Sequence, residues 1–203
     1  IAVLCVTFYC TVSGFKKFGV SILLPLFGVD LEIATVLLAM IPFFTILFTP
    51  LFGALVDKVG KATLWMIVGS ALVLISHLII TFAPQGEPVY AYIAIALLGT
   101  GYSLVPSAMW PSVPKIIPEK NLGTAYSLIY WVQNLGMWAV PIYVGRIFKN
   151  TITEAGNATQ EISAAIRAEY VFIFLGIIAI ATALMLYFSS KRHPELHLDK
   201  AAK

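Results

Sequence analysis

Charge is what this sequence has least of: Asp, Glu, Lys and Arg make up 11% of its 203 residues, against 60% hydrophobic. Soluble domains carry about a quarter charged residues, so an ordinary globular chain is excluded and a membrane protein is indicated. Cysteine is nearly absent as well. Cys5 and Cys10 both fall in the first apolar run, too few and too embedded for a disulfide framework or a zinc site. The histidines are His77, His193 and His197, the last two in a basic tail. With no paired-His motif and no Ser nucleophile in a recognisable turn, no metal, cofactor or catalytic residue is expected, and the chain is not read as an enzyme. The net charge of +3 is spread over loops rather than gathered in a patch, which argues against nucleic acid as a partner. The first residues, Ile1-Ala-Val-Leu4, include neither an initiator Met nor a charged segment. They are read as the interior of a longer protein, not as a signal peptide.

What is abundant is apolar sequence in long runs. These predict an all-α membrane protein with six transmembrane helices near 1–27, 32–56, 62–83, 89–115, 122–145 and 169–189, each long enough to cross a bilayer. Gly28-Val-Asp30, Asp57 to Lys61, Pro84 to Pro88 and Pro118 to Gly123 separate the first five. The fifth connection, 146–168, is long and polar. Its end, Glu161 to Glu169, has the alternation of a short interfacial helix. Residues 1–190 would form the bundle and 191–203 a cytoplasmic tail.

The turn Gly53-Ala-Leu-Val-Asp57-Lys58-Val-Gly60-Lys61 is short enough to force its flanking helices antiparallel. Gly53 would let another helix approach closely, Asp57 places a carboxylate at a helix end, and Gly60 permits a tight reversal. Lys58 and Lys61 favour the cytoplasmic side. With that turn cytoplasmic, the same side holds Lys58, Lys61, Lys115, Lys120, Lys191, Arg192, Lys200 and Lys203, while the other has only Arg146, Lys149 and Arg167. Both ends of the chain are then cytoplasmic. Asn157-Ala-Thr159, on the outer or lumenal side, is a glycosylation sequon that matters only in a secretory-pathway organism.

Three helices carry polar groups that hydrocarbon does not tolerate idly. Lys16 and Lys17 lie inside the first run, where a mid-membrane lysine costs about 2.5–3.5 kcal/mol. They should face a water-filled cavity unless the helix ends near Ser13. Tyr9, Ser13 and Lys16 or Lys17 share a helix face, a wall whose ammonium group suits a carboxylate ligand. The fourth run places Tyr102 and Trp110 among Pro106, Pro111 and Pro114, so it should bend. Trp110 is read as a site residue, with interfacial anchoring as the plainer alternative. In the fifth run Tyr130, Gln133 and Asn134 are polar, and Ser127, Trp131, Asn134 and Trp138 form one stripe. Gln133 and Asn134 are read as ligand contacts, with helix-to-helix hydrogen bonding as the alternative.

Three blocks together carry a family resemblance: Leu51-Phe-Gly-Ala-Leu-Val-Asp57-Lys-Val-Gly-Lys61, Ala108-Met-Trp110-Pro111, and Leu122-Gly-Thr-Ala-Tyr126 with Gln133-Asn134-Leu-Gly136. The sequence resembles the C-terminal half of major facilitator superfamily transporters, and within them the branch with a lysosomal dipeptide transporter. The resemblance implies two six-helix bundles rocking about a midplane site, with an N-terminal half of the same protein as partner. It implies a small-molecule substrate, a dipeptide or other small organic anion, moved by alternating access, with Lys17, Tyr102, Trp110, Gln133 and Asn134 contributing. Gly53, Asp57, Lys58, Gly60 and Lys61 become a gating loop, Asp57 latching onto the helix that begins near Gly123. A scaffold or sensor on the same fold, or a drug or sugar-phosphate carrier, are the alternatives. A bacterial inner membrane is the expected location and the lysosome the alternative, and dependence on an accessory subunit is left open. No Asp or Glu falls in the middle of a predicted span, only at ends, as with Asp30, Glu32 and Asp57. Since proton-coupled carriers need an embedded titratable group, uniport is compatible with this half. The embedded titratable candidates are His77, Lys16 and Lys17, and His77, near a helix end, is read as structural or interfacial.

Overall fold

A computed structural model describes residues 1–153 and 156–201. Lys203 of the cytoplasmic basic set, residues 154 and 155 of the expected fifth connection and 202 and 203 of the expected tail lie outside the described residues. Six long helices form the bundle: α1 (Ala2–Phe27), α2 (Leu31–Val59), α3 (Ala62–Phe82), α4 (Pro88–Met109), α6 (Leu122–Thr151) and α7 (Ala158–Arg192), with the four-residue α5 (Val113–Ile116) between α4 and α6. Five stretches, 2–27, 31–59, 62–82, 88–116 and 158–192, are long and apolar enough to span a membrane. The 30-residue α6 matches them in length but is more polar, because it carries Gln133, Asn134, Arg146, Lys149 and three tyrosines.

Local chemistry accounts for the breaks. Gly28 closes α1 with φ 64° and its N–H bonded to the Leu24 carbonyl, and the Asp30 carboxylate caps α2 by accepting from the Ile33 N–H at 2.8 Å. At the end of α4 the prolines act through missing donors. Pro114 has no N–H to offer the Trp110 carbonyl, so Val113 donates there instead and residues Trp110–Ser112 tighten into a 3-10 turn. Tyr126 supplies a second donor, its hydroxyl lying 3.3 Å from the same carbonyl.

Helix α1 packs on α6 and α7 and touches α2, α3 and α4, while α4 lies between α2 and α3. The core runs through Phe8, Phe15, Ile22, Met66, Ile95 and Phe172, all essentially inaccessible. Helix α2 leaves Phe43, Ile46, Leu47 and Leu51 exposed, a surface suited to hydrocarbon or another bundle.

Two boundaries differ most from those expected, and the first is the end of α6, which runs to Thr151, six residues past the expected 145. Helix α7 starts at Ala158, eleven residues before the expected Glu169, and continues unbroken through the charged stretch. The Asn157 side chain caps it by accepting from the Gln160 N–H at 3.0 Å, and Ala164, Ala165 and Ala168 are buried, so the charges ride a helix that is packed rather than interfacial. Glu169 is therefore inside a helix and fully buried, paired with the equally buried His77 at 2.7 Å. This corrects the expectation that no carboxylate lies within a span.

The tail is also part of the fold. Lys61, at the N-cap position of α3, is in the left-handed region with φ 57° and provides no side-chain cap. Asp199 caps the helix from 136 residues away, accepting from the Thr63 N–H at 2.9 Å. It also accepts from the Thr63 hydroxyl at 2.9 Å and the Ser190 hydroxyl at 2.8 Å, and its backbone carbonyl takes the Lys61 N–H at 2.9 Å. Lys115 adds bonds to the carbonyls of Leu198 at 3.2 Å and Lys200 at 3.1 Å. Gly60, with φ 71°, has no room for a side chain: a Cβ there would lie 2.5 Å from the Asp199 carbonyl oxygen. The α2–α3 turn, the α4–α6 connection and the tail thus share one end of the bundle, the end to which the basic residues were assigned. Loss of a capping carboxylate costs about 1 kcal/mol. Asp199→Ala should lower stability by that amount and open the tail to protease; an unchanged digestion pattern counts against the clamp.

Candidate functional site

An aromatic wall is built where α1, α4 and α6 meet. The 3-10 turn that Pro114 imposes carries Trp110 into this junction, where its indole N–H donates to the Tyr9 hydroxyl at 3.1 Å. Tyr130 stacks on the indole with ring centroids 4.8 Å apart, and Tyr126 lies 5.9 Å from it. Further along the membrane normal, Tyr9 meets Tyr102 edge-on at 5.8 Å and Phe8 stacks on Tyr102 at 6.1 Å. The Lys16 ammonium sits 6.0 Å from the Tyr102 ring centroid, at the limit of a cation–π contact. Tyr130 and Lys16 are exposed and Trp110, Tyr9 and Tyr102 half-buried. The wall is therefore an open surface, apolar in its body, with phenolic oxygens along it and a cation at one end.

Not every residue singled out in the sequence joins it. The structure brings together Tyr9, Lys16, Tyr102 and Trp110. Lys17 is exposed and has no aromatic contact like that of its neighbour. Gln133 is buried in the α1–α6 seam: its Oε1 accepts from the Cys5 thiol at 3.1 Å and its Nε2 faces the Met137 sulfur at 3.4 Å. There it bridges α1 and α6. Asn134 is exposed and turns its amide back onto the Tyr130 carbonyl at 2.8 Å. Tyr126 and Tyr130, one turn apart on α6, complete the wall without having been singled out for it; their i, i+4 spacing is the signal, but only the fold shows what they face.

The Gly53–Lys61 turn lies away from this wall. Among the described residues nothing comes within 4 Å of a Cβ added at Gly53, so the expected close approach of another helix there is not made within this bundle. Asp57 and Lys58 are exposed, and neither takes part in the two ion pairs among the described residues. A groove of about 870 Å³ between α6 and α7, lined by Arg146, Arg167, Tyr143 and Tyr170, is a separate feature. Tyr143 follows Tyr130 by thirteen residues, which is roughly 220° around α6, so the groove opens on the opposite side.

The family model for the Major Facilitator Superfamily matches residues 1–141. The chain belongs to that superfamily. It is 35% identical over 147 residues to the lysosomal dipeptide transporter MFSD1 of Homo sapiens, covering 72% of this chain and 31% of the human protein. The Mus musculus protein of that name is 36% identical over 145 residues. The chain thus spans about a third of the length of these relatives. Among crystal structures, the peptide transporter POT in complex with alafosfalin, a mutant form, aligns with a TM-score of 0.68 at 16% identity, over 99% of this chain and 40% of that one. The complex with sulfate gives 0.66 at 18% identity. At such identity the likeness establishes the fold: a superfamily helical bundle. The superfamily and the apolar helices make this an integral, multi-pass membrane protein.

Proposed function

We propose that this chain is the C-terminal bundle of a secondary transporter that moves dipeptides by alternating access, with the aromatic wall as its half of the substrate site. The observation that carries the reading is the arrangement of the wall. Lys16 follows Tyr9 by seven residues, a separation of about 10 Å along the helix, with Trp110 beside Tyr9 at one end and the ammonium at the other. An extended dipeptide spans about 7 Å, so its carboxylate can reach Lys16 while a side chain lies on the indole and Tyr130. The MFSD1 likeness supports the substrate class. The opposing wall belongs to a second, N-terminal bundle of the same protein, a proposal supported by the 40% of the transporter fold that this chain covers. The bilayer is the cytoplasmic membrane of a bacterium, the lysosomal membrane being the alternative set by the relatives.

In the same reading the Gly53–Lys61 turn closes the cytoplasmic end against that second bundle, and Asp199 holds it in position. Labelling of a cysteine at Lys58 should increase when Asp199 is replaced by alanine; equal labelling would remove the turn from the gate. The substrate assignment is tested by uptake of a dipeptide library into proteoliposomes holding the full-length protein. Lys16→Ala should raise KM about tenfold, the loss of one charge-assisted contact, and Lys17→Ala should change it less than twofold. Absence of saturable uptake from folded protein, or equal effects of the two lysines, overturns the assignment.

A further inference from the structure

We infer that His77 and Glu169 form a proton site that couples proton movement to transport, an inference that rests on the transport reading above. The pair joins α3 to α7, with Nδ1 of His77 and Oε2 of Glu169 2.7 Å apart and both side chains fully inaccessible. Phe15 of α1 packs edge-on against the imidazole with centroids 5.5 Å apart, and Phe172 of α7 lies tilted against it at 5.4 Å. Inside this cage the other two polar atoms, His77 Nε2 and Glu169 Oε1, have no hydrogen-bond partner among the described residues. A buried ion pair is a poor source of stability, since apolar residues of similar volume serve as well or better. Ionisable residues in spans instead mark ion and proton pathways.

The charges around the pair define what it can bind. Among the described residues, Glu169 pairs with His77 alone. On α1, Lys16 and Lys17 are exposed; on α7, Arg167 and Tyr170 are exposed and line the α6–α7 groove. On α4, Tyr90 and Tyr102 are half-buried, and Tyr102 belongs to the aromatic wall. A pair that shares one proton between Nδ1 and Oε2 and keeps a second on Nε2 is neutral as a unit. Adding a proton, by transfer from hydronium to the Glu169 carboxylate, leaves imidazolium beside carboxylic acid and one water: a net charge of +1 among phenyl rings. Removing the shared proton leaves −1. Either state is strongly disfavoured in the sealed cage, so occupancy changes only when water enters. His77 lies five residues from the end of α3 at Phe82, about 7 Å below the outer rim, which makes the outer side the route of entry.

Helix α1 connects this event to the substrate wall. A Cβ at Gly14 would meet the Phe172 ring at 2.6 Å and Phe15 touches His77, while Lys16, the next residue, stands over Tyr102. A movement of α1 that follows peptide binding must therefore disturb the cage. Proton loading from the outer side and peptide binding are linked through one helical turn.

Infrared difference spectra of the full-length protein in lipid, between pH 7.5 and 5, should show a protonated-carboxyl band that shifts in D₂O and is lost in Glu169→Gln. In weakly buffered proteoliposomes, dipeptide uptake should bring protons with it, and an acid exterior should raise accumulation at least threefold; both should vanish in Glu169→Gln. Should that variant fold poorly, the double replacement His77→Leu with Glu169→Met keeps the cage filled and should abolish the same signals. Absence of a Glu169-dependent band, or proton-independent uptake by the wild type, overturns the proton site. A band without uptake of any dipeptide would instead leave the proton site standing and reject the substrate reading.

Discussion

Gly101→Ala is expected to destabilise the protein by about 2–3 kcal/mol, the upper range for overpacking, although alanine is the better helix former by about 1 kcal/mol. The Cβ would lie 2.6 Å from the Gly69 carbonyl oxygen on α3 and 2.9 Å from a Val73 methyl. The obstacle at Gly69 is backbone, which cannot rotate aside. A Cβ at Gly69 would in turn lie 3.2 Å from the Val105 nitrogen and 3.3 Å from the Gly101 oxygen, so the two glycines let α3 and α4 approach main chain to main chain. In a bilayer such close packing is a principal force between helices, because lipid tails are as apolar as side chains. Separating α3 from α4 also strains the bond from the Ser76 hydroxyl to the Ala94 carbonyl, 2.8 Å in the native packing. Gly145→Ala is the control. Its Cβ would meet only the Phe18 ring, at 3.6 Å, so helix propensity alone should act and the melting temperature should hold or rise. Thermal unfolding of both variants in detergent decides the matter; equal shifts would mean that the α3–α4 contact is not a determinant of stability.

Much of this architecture is legible in the sequence, because hydrocarbon imposes a simple grammar. The first four helices follow from run length and from breakers such as Asp30 and Gly60, and the basic residues of the α2–α3 turn, the α4–α6 connection and the tail gather at one end as the charge bias requires. The start of helix α7 is not legible from composition, because Glu161, Arg167 and Glu169 resemble a chain leaving the membrane. Its start does carry a signal, Asn157 followed three residues later by Gln160, which is the pattern of a capped N-terminus, but the sequon at Asn157 competes with it for attention. Glu169 could not be paired from sequence, since its partner lies 92 residues earlier, and a histidine near a helix end gives no hint of a carboxylate one helix away. The tail shows the same limit. Asp199 is an unremarkable residue of a polar segment until the fold places it at a helix start that lacks its own cap.

The largest effect on transport is expected from Trp110, which should exceed Lys16 because it joins three helices rather than offering one contact. The indole donates to Tyr9 on α1, stacks on Tyr130 of α6, and is held by the proline-bearing turn at the end of α4. Trp110→Ala removes an aromatic pair, worth about 0.5–1.5 kcal/mol beyond its area, and deprives Tyr9 of its donor, about 1 kcal/mol more. It also takes away the surface on which a peptide side chain would rest. Together these predict a rise in KM of at least thirtyfold for dipeptides with apolar side chains. Trp110→Phe separates the contributions: the ring remains and the N–H does not, so the rise should be about fivefold. The discriminating substrate is diglycine, which has no side chain to stack and should lose less than the apolar dipeptides in Trp110→Ala. Equal losses for diglycine and leucyl-leucine would show that Trp110 holds the helices in register without touching the substrate, and an unchanged KM for both would remove the aromatic wall from the transport site.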